Sequence, residues 1–246
     1  MRKVGDFLAY GYLPKVRALQ HDERVMATND LRRVWGIGKT TAVRFFTTAC
    51  SPRCAAAKKS NLIDEGVTSV AKLREAVRDG RFVPDKRQAA ALENLEDLQE
   101  RVPRAEVEQI RDFALEHARL VYGDDADVHG VVGGSYRRGS ATSSDIDFLM
   151  CDRAHPSRVL PLHGLVQHLT SLGFLVNNGT YDVERPKSAK KTQIEFDAEG
   201  IEGYLGMCRL LGPGHRVRRL DIMSFRASTF ACSTLVRLPF SAARVC

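Results

Sequence analysis

The sequence predicts an α+β fold, a helical N-terminal part followed by a mixed or antiparallel sheet, and three observations carry that expectation. Residues 86–121 place apolar side chains at helical spacing, first Leu92, Leu95 and Leu98, then Val107, Ile110 and Phe113. From about residue 128 the period shortens to β-branched or alternating runs, Val128–Val132 and Asp145–Met150, with Gly and Ser clusters between them. Phe174–Val176, Tyr204–Leu211 and Arg216–Phe225 read as further strands, while Arg158–Leu172 returns to helical spacing through Val159, Leu162, Val166 and Leu169. Pro103 divides two helices and fits the first turn of the second, where its missing N–H costs nothing. Glu106 and Glu108 then suit the positive end of that helix. Thr47–Ser60 and Asn177–Gly200 read as loops or insertions.

Composition narrows the class. A chain of 246 residues allows one or two domains. With 43% hydrophobic and 27% charged residues it is neither disordered nor a fibrous repeat. The net charge of +7 favours a polyanionic partner. No apolar run approaches the roughly 20 residues of a membrane span, and no apolar segment follows Met1-Arg2-Lys3, so neither a membrane nor a secretory route is expected. Six scattered cysteines suit free thiols in a reducing compartment. Cys50 and Cys54 alone lack the two further ligands of a zinc site.

The chemistry concentrates in two segments. Gly133-Gly134-Ser135-Tyr136-Arg137-Arg138-Gly139 ends a strand and leads to Asp145-Ile146-Asp147. Residues i and i+2 of a strand share a face, so Asp145 and Asp147 present two carboxylates about 6.5–7 Å apart along the backbone. That spacing suits two divalent ions about 3.5–4 Å apart, the arrangement of in-line phosphoryl transfer. The glycines admit a triphosphate close to the backbone, and Ser135 and Arg138 can donate to its oxygens. Standing alone, Asp-x-Asp is usually two solvated carboxylates; the preceding Gly-Ser sharpens the signal. A calcium loop is excluded because Phe148, Leu149 and Met150 occupy positions that would have to supply ligands or the sharp glycine turn. A third carboxylate comes from Asp221, set between Leu220 and Ile222, with Asp197 of Glu195-Phe196-Asp197 as its competitor.

These segments resemble the family X DNA polymerases. The resemblance is carried by Gly133–Gly139, Asp145–Leu149, Tyr204–Ile222 and Val34-Trp35-Gly36-Ile37-Gly38-Lys39-Thr40-Thr41-Ala42. It implies a helical fingers domain with a helix-hairpin-helix, then a nucleotidyltransferase-type palm. The implied boundaries are a remnant of the lyase-domain end at 1–24, fingers at 25–123, palm at 124–233 and a divergent tail at 234–246. The implied activity is templated DNA synthesis in repair, in the nucleus, on gapped or primed duplex DNA with deoxynucleoside triphosphates, by a monomer. Asp145, Asp147 and Asp221 would bind two Mg²⁺ (or Mn²⁺) ions. Arg104, Gly134, Ser135, Arg138 and Ser144 would hold the nucleotide, and Arg219 would pair with the aspartates and lie at the DNA. Gly36, Gly38, Lys39 and Thr40 would meet a DNA phosphate, with backbone carbonyls of Arg32, Val34 and Ile37 around a monovalent cation. The hairpin at 34–40 and the basic stretch at 209–219, with Arg209, Arg216, Arg218 and Arg219, are expected to make DNA binding salt-dependent.

The resemblance also departs from the family. Residues 1–20 resemble only the closing helix of the lyase domain, so no lyase activity is expected. Beyond Phe230-Ala231-Cys232 the family's sugar-packing segment and thumb find no match, so weak synthesis by this chain is expected. A catalytically silent DNA-binding protein and a template-independent nucleotidyltransferase are the competing readings.

Overall fold

The structure is a computed structural model that describes residues 21–38, 45–46, 59–60, 62–63, 65–180 and 201–230. The chain divides into two compact units between Leu95 and Glu96.

In the first unit each described helix of a full turn or more starts at a side-chain cap. Asp22 accepts the N–H groups of Arg24 and Val25 at the head of α1 (Glu23–Leu31). Ser69 caps α2 (Val70–Arg78), and Asp85 with Gln88 closes a capping box on α3 (Lys86–Glu93). The pair β1 (Phe45–Phe46) and β2 (Lys59–Ser60) is antiparallel, so the end of the Thr47–Ser60 segment is a strand rather than loop. Leu31, Leu73 and Ala91 are fully buried here.

The second unit is built on one five-stranded sheet. After α4 (Leu95–Gln99) and β3 (Val102–Pro103) comes the long helix α5 (Arg104–Tyr122). Pro103 is extended and immediately precedes α5 rather than sitting in its first turn, because its neighbour Val102 pairs with β5 (Thr142–Ser143). The region 86–121 thus holds three helices rather than two. Strands β4 (Val128–Val132), β6 (Ile146–Asp152), β7 (Leu175–Thr180), β8 (Ile201–Cys208) and β9 (Arg218–Arg226) form the sheet in the order β4-β6-β9-β8-β7. Only β6 and β9 run parallel, so the sheet is mixed. The short α6 (Gly134–Arg137) lies between β4 and β5, and α7 (Leu162–Ser171) between β6 and β7. α7 begins at Leu162, after Pro161, and not at Arg158, whose guanidinium is drawn instead to Asp125 and Asp152, both at 2.6 Å.

Alternation decides the layering. Ile146, Phe148 and Met150 of β6 and Leu220 and Ile222 of β9 point to one face. There they join Val107, Ile110, Ala114 and Ala118 of α5 and Leu162, Leu165 and Leu169 of α7 in a single buried core. This packing puts α5 in the same compact unit as the sheet. The opposite face carries a smaller cluster of Leu149, Cys151, Met223, Phe225 and Phe230.

Candidate active site

The sheet brings the predicted carboxylates together by register. Asp147 of β6 lies directly opposite Asp221 of β9 in the parallel pair, and parallel partners point to the same face. Asp145, two residues before Asp147, joins them on the face away from the helices. Arg219, two residues before Asp221, also stands on this face, with Nη1 3.5 Å from Asp145 and Nη2 3.7 Å from Asp221. Of the two candidates for a third carboxylate, Asp221 stands opposite Asp147, and Asp197 lies outside the described residues.

The glycine turn is fitted to one of these carboxylates. Gly133 N–H donates to the Asp147 carbonyl at 2.8 Å, which draws the turn over the start of β6. Gly134 has φ +58°, and a Cβ there would press onto Asp147 Oδ2. Glycine at 134 is therefore required twice, by backbone conformation and by the space the carboxylate fills. Burial, then the Asp145 charge, push the Asp147 carboxyl up to about 6, against a partial pull downward from Arg219 and Arg138. A buried carboxylate beside a second carboxylate favours a cation, and three oxygen-donor carboxylates on one face suit Mg²⁺. Among the described residues no three ligand side chains stand already gathered on a metal point. Arg219 bridges Asp145 and Asp221 instead.

The predicted nucleotide ligands surround the same turn. Ser135 Oγ donates to Ser143 Oγ at 2.9 Å, and the exposed Ser144 hydroxyl donates to Asp145 Oδ1 at 3.1 Å. Arg138 is exposed at the end of α6. Arg104 reaches the turn from the head of α5, where its Nη1 donates to the Tyr136 carbonyl at 2.9 Å and its guanidinium lies 3.7 Å from the Tyr136 ring centre.

In the first unit the chain after α1 turns tightly: Val34 N–H bonds Leu31 O and Ile37 N–H bonds Val34 O at 3.0 Å. Gly36 takes φ +91°, and Gln88 Nε2 holds its carbonyl at 3.2 Å. Arg32 ends α1, Val34 and Ile37 are buried, and Gly38 is exposed. Lys39 and Thr40 lie outside the described residues, and the next residues described after Gly38 are Phe45–Phe46 of β1.

The basic segment 209–219 requires a correction. Arg218 is 4% exposed and its guanidinium makes two bonds to Glu106, at 2.7 and 2.8 Å, with further bonds to the carbonyls of Asp97 and Glu100. Arg216 pairs with Glu100 at 2.8 Å and Asp97 at 3.3 Å. Strand alternation turns Arg218 inward, and it is an internal tie rather than a phosphate contact; Arg209 remains exposed. Glu106 and Glu108, read from sequence only as favourable helix-start charges, are specific partners, Glu106 of Arg218 at 2.7 Å and Glu108 of Arg104 at 3.5 Å. Glu108 was visible at spacing i,i+4 from Arg104; the tie from Glu106 spans 112 residues and left no local signal.

Residues 101–227 match the DNA polymerase beta palm family. The chain is 28% identical to DNA polymerase lambda of Rattus norvegicus over 95% of its length and 34% of that protein. It is 24% identical to DNA polymerase lambda of Arabidopsis thaliana over 88% of its length and 34% of that protein. The chain spans about a third of the length of these relatives. No described helix is long and apolar enough to cross a membrane.

Proposed function

The chain belongs to the family X DNA polymerases, and we propose that it is a metal-dependent nucleotidyltransferase of DNA repair that adds deoxynucleotides to a primer 3′-hydroxyl. The observation that supports this most is the Asp147–Asp221 register, with Asp145 on the same face and the Gly133–Gly134 turn closed over Asp147. Asp145, Asp147 and Asp221 would hold two Mg²⁺ ions, with Mn²⁺ as a substitute. When bound, these supply charge neutralisation at the phosphoryl oxygens and lower the pKa of the attacking hydroxyl.

The chain's own groups bind and orient. The triphosphate lies against the backbone of Gly134, with Ser135, Arg138 and Arg104 donating to its oxygens and Ser144 at the edge beside Asp145. Arg219 neutralises part of the carboxylate charge before substrate arrives. With its carboxyl held up near 6, Asp147 is mostly ionised at neutral pH and drives cation capture. In the fingers, the turn at Gly36–Gly38 with Lys39 and Thr40 holds a DNA phosphate, and the carbonyls of Arg32, Val34 and Ile37 take a monovalent cation. The partners are gapped or primed duplex DNA and deoxynucleoside triphosphates, met by a monomer in the nucleus.

Primer extension on gapped duplex tests this. Wild-type chain is expected to incorporate labelled nucleotide with Mg²⁺ and to stop with chelator, and Asp147→Ala to lose roughly a hundredfold or more. Extension undiminished in Asp147→Ala overturns the carboxylate assignment. Binding to gapped duplex with no incorporation under Mg²⁺ or Mn²⁺ makes the chain a silent DNA-binding protein instead.

A further inference from the structure

The Arg104 guanidinium, assigned above to the incoming triphosphate, already has an anion beside it. Its Nε stands 3.5 Å from Glu108 Oε1, one turn along α5. That same oxygen accepts the Tyr136 hydroxyl at 2.9 Å, and Arg111 Nη1 reaches the hydroxyl at 3.5 Å. Tyr136 belongs to the Gly-Ser-Tyr-Arg turn, so the cluster joins the helix to the phosphate cradle. An exposed i,i+4 pair is ordinarily loose and weak. Here the carboxylate is fixed by a second bond, from the tyrosine, while the ring and carbonyl of that tyrosine fix the guanidinium.

We propose that Glu108 is a built-in competitor for the incoming triphosphate, an affinity-setting residue whose carboxylate must yield Arg104 before a phosphate oxygen takes it. This rests on the reading of Arg104 as a triphosphate ligand. Carboxylate and phosphate oxygens compete for the same guanidinium fork and repel each other. The Tyr136 carbonyl and ring hold the guanidinium in either state, so the exchange needs only Glu108 to swing away. Both side chains of the pair are about two-fifths exposed, at 41% and 42%, which leaves room for that movement. Loss of the Glu108 charge therefore tightens triphosphate binding, the opposite sign to loss of a ligand.

The test is calorimetric titration of the full chain with Mg²⁺ and a deoxynucleoside triphosphate carrying a methylene in place of its α,β-bridging oxygen. Glu108→Gln keeps the shape and an acceptor for Tyr136, and is expected to tighten binding about two- to fivefold. Arg104→Ala is expected to weaken binding, and adding Glu108→Gln to Arg104→Ala should bring no recovery. Unchanged or weaker binding by Glu108→Gln overturns the proposal while the polymerase reading stands. The same gain in the Arg104→Ala background overturns it too, because the effect is then general repulsion. Wild-type chain that takes up no triphosphate, or that binds equally well as Arg104→Ala, overturns the ligand reading and the proposal with it.

Discussion

Arg218 and Arg219 are neighbours on β9 and live in opposite environments. Arg218 faces the helix layer, where Leu220 and Ile222 follow it into the core and Glu106 meets its guanidinium at 2.7 Å. Arg219 faces the other way, in line with Asp221, and stands among the carboxylates of the open face. One face of the sheet is closed, with the Arg218 charge paired inside it; the other crowds Asp145, Asp147 and Asp221 around the Arg219 guanidinium. The lesson is that a period-two strand separates structural from chemical charge with no change in residue type. The helix-covered face pairs its charge with Glu106, and the other face gathers like charges around one guanidinium.

Breaking the closed face is expected to have the larger effect on stability. Arg218→Met strands the Glu106 carboxylate and should cost about 3–5 kcal/mol, read by urea unfolding. Adding Glu106→Leu should recover most of that loss, because two packed apolar side chains replace the pair. DNA binding, corrected for the folded fraction, should change little with Arg218. A drop in the salt slope there would restore Arg218 as a phosphate contact.

A smaller effect is expected where the glycine turn meets the open face. Gly134→Ala must hold a positive φ and place its Cβ on the Asp147 carboxylate, which should cost about 1–3 kcal/mol. Primer extension should fall by more than that loss of stability explains, because Asp147 is displaced from its register with Asp221. A Gly134→Ala chain with wild-type melting and wild-type extension would show that the turn and the carboxylate are independent.

Much of the open face is legible in the sequence. Asp145 and Asp147 share a face by arithmetic, and Gly133-Gly134-Ser135 before them marks a turn where the backbone approaches a ligand. What local patterning cannot supply is pairing across the chain. Nothing near Asp221 says that its strand runs parallel to β6 and in register with Asp147. The same blindness misassigned Arg218: an arginine in a basic run looks solvated until the fold brings Glu106 to it. The packing of α5 is hidden in the same way, since its period announces a helix but not the sheet it packs on. Strand ends drifted for a related reason. β8 starts at Ile201, within reach of the Lys-rich stretch read as loop, because backbone pairing with β9 extends past the apolar run.

In the proposed function the carboxylate face of β6 and β9 is held for a cation at some cost to the fold. Burial and Asp145 raise the Asp147 carboxyl to about 6, from an ordinary value of 3.8, so the folded chain binds this proton more tightly than the unfolded chain does. Stability from this group is therefore present at low pH and falls as pH rises between those two values. The direct measurement is thermal unfolding of wild type and Asp147→Asn from pH 4 to 8, with and without Mg²⁺. Without Mg²⁺, Asp147→Asn should melt a few degrees above wild type at pH 7, with the gap opening between about pH 4 and 6 and flat beyond. Mg²⁺ should raise the wild-type midpoint at pH 7 and leave Asp147→Asn nearly unmoved. An Asp147→Asn chain that is less stable than wild type at every pH, with Mg²⁺ acting equally on both, would show that this face is not held for a cation.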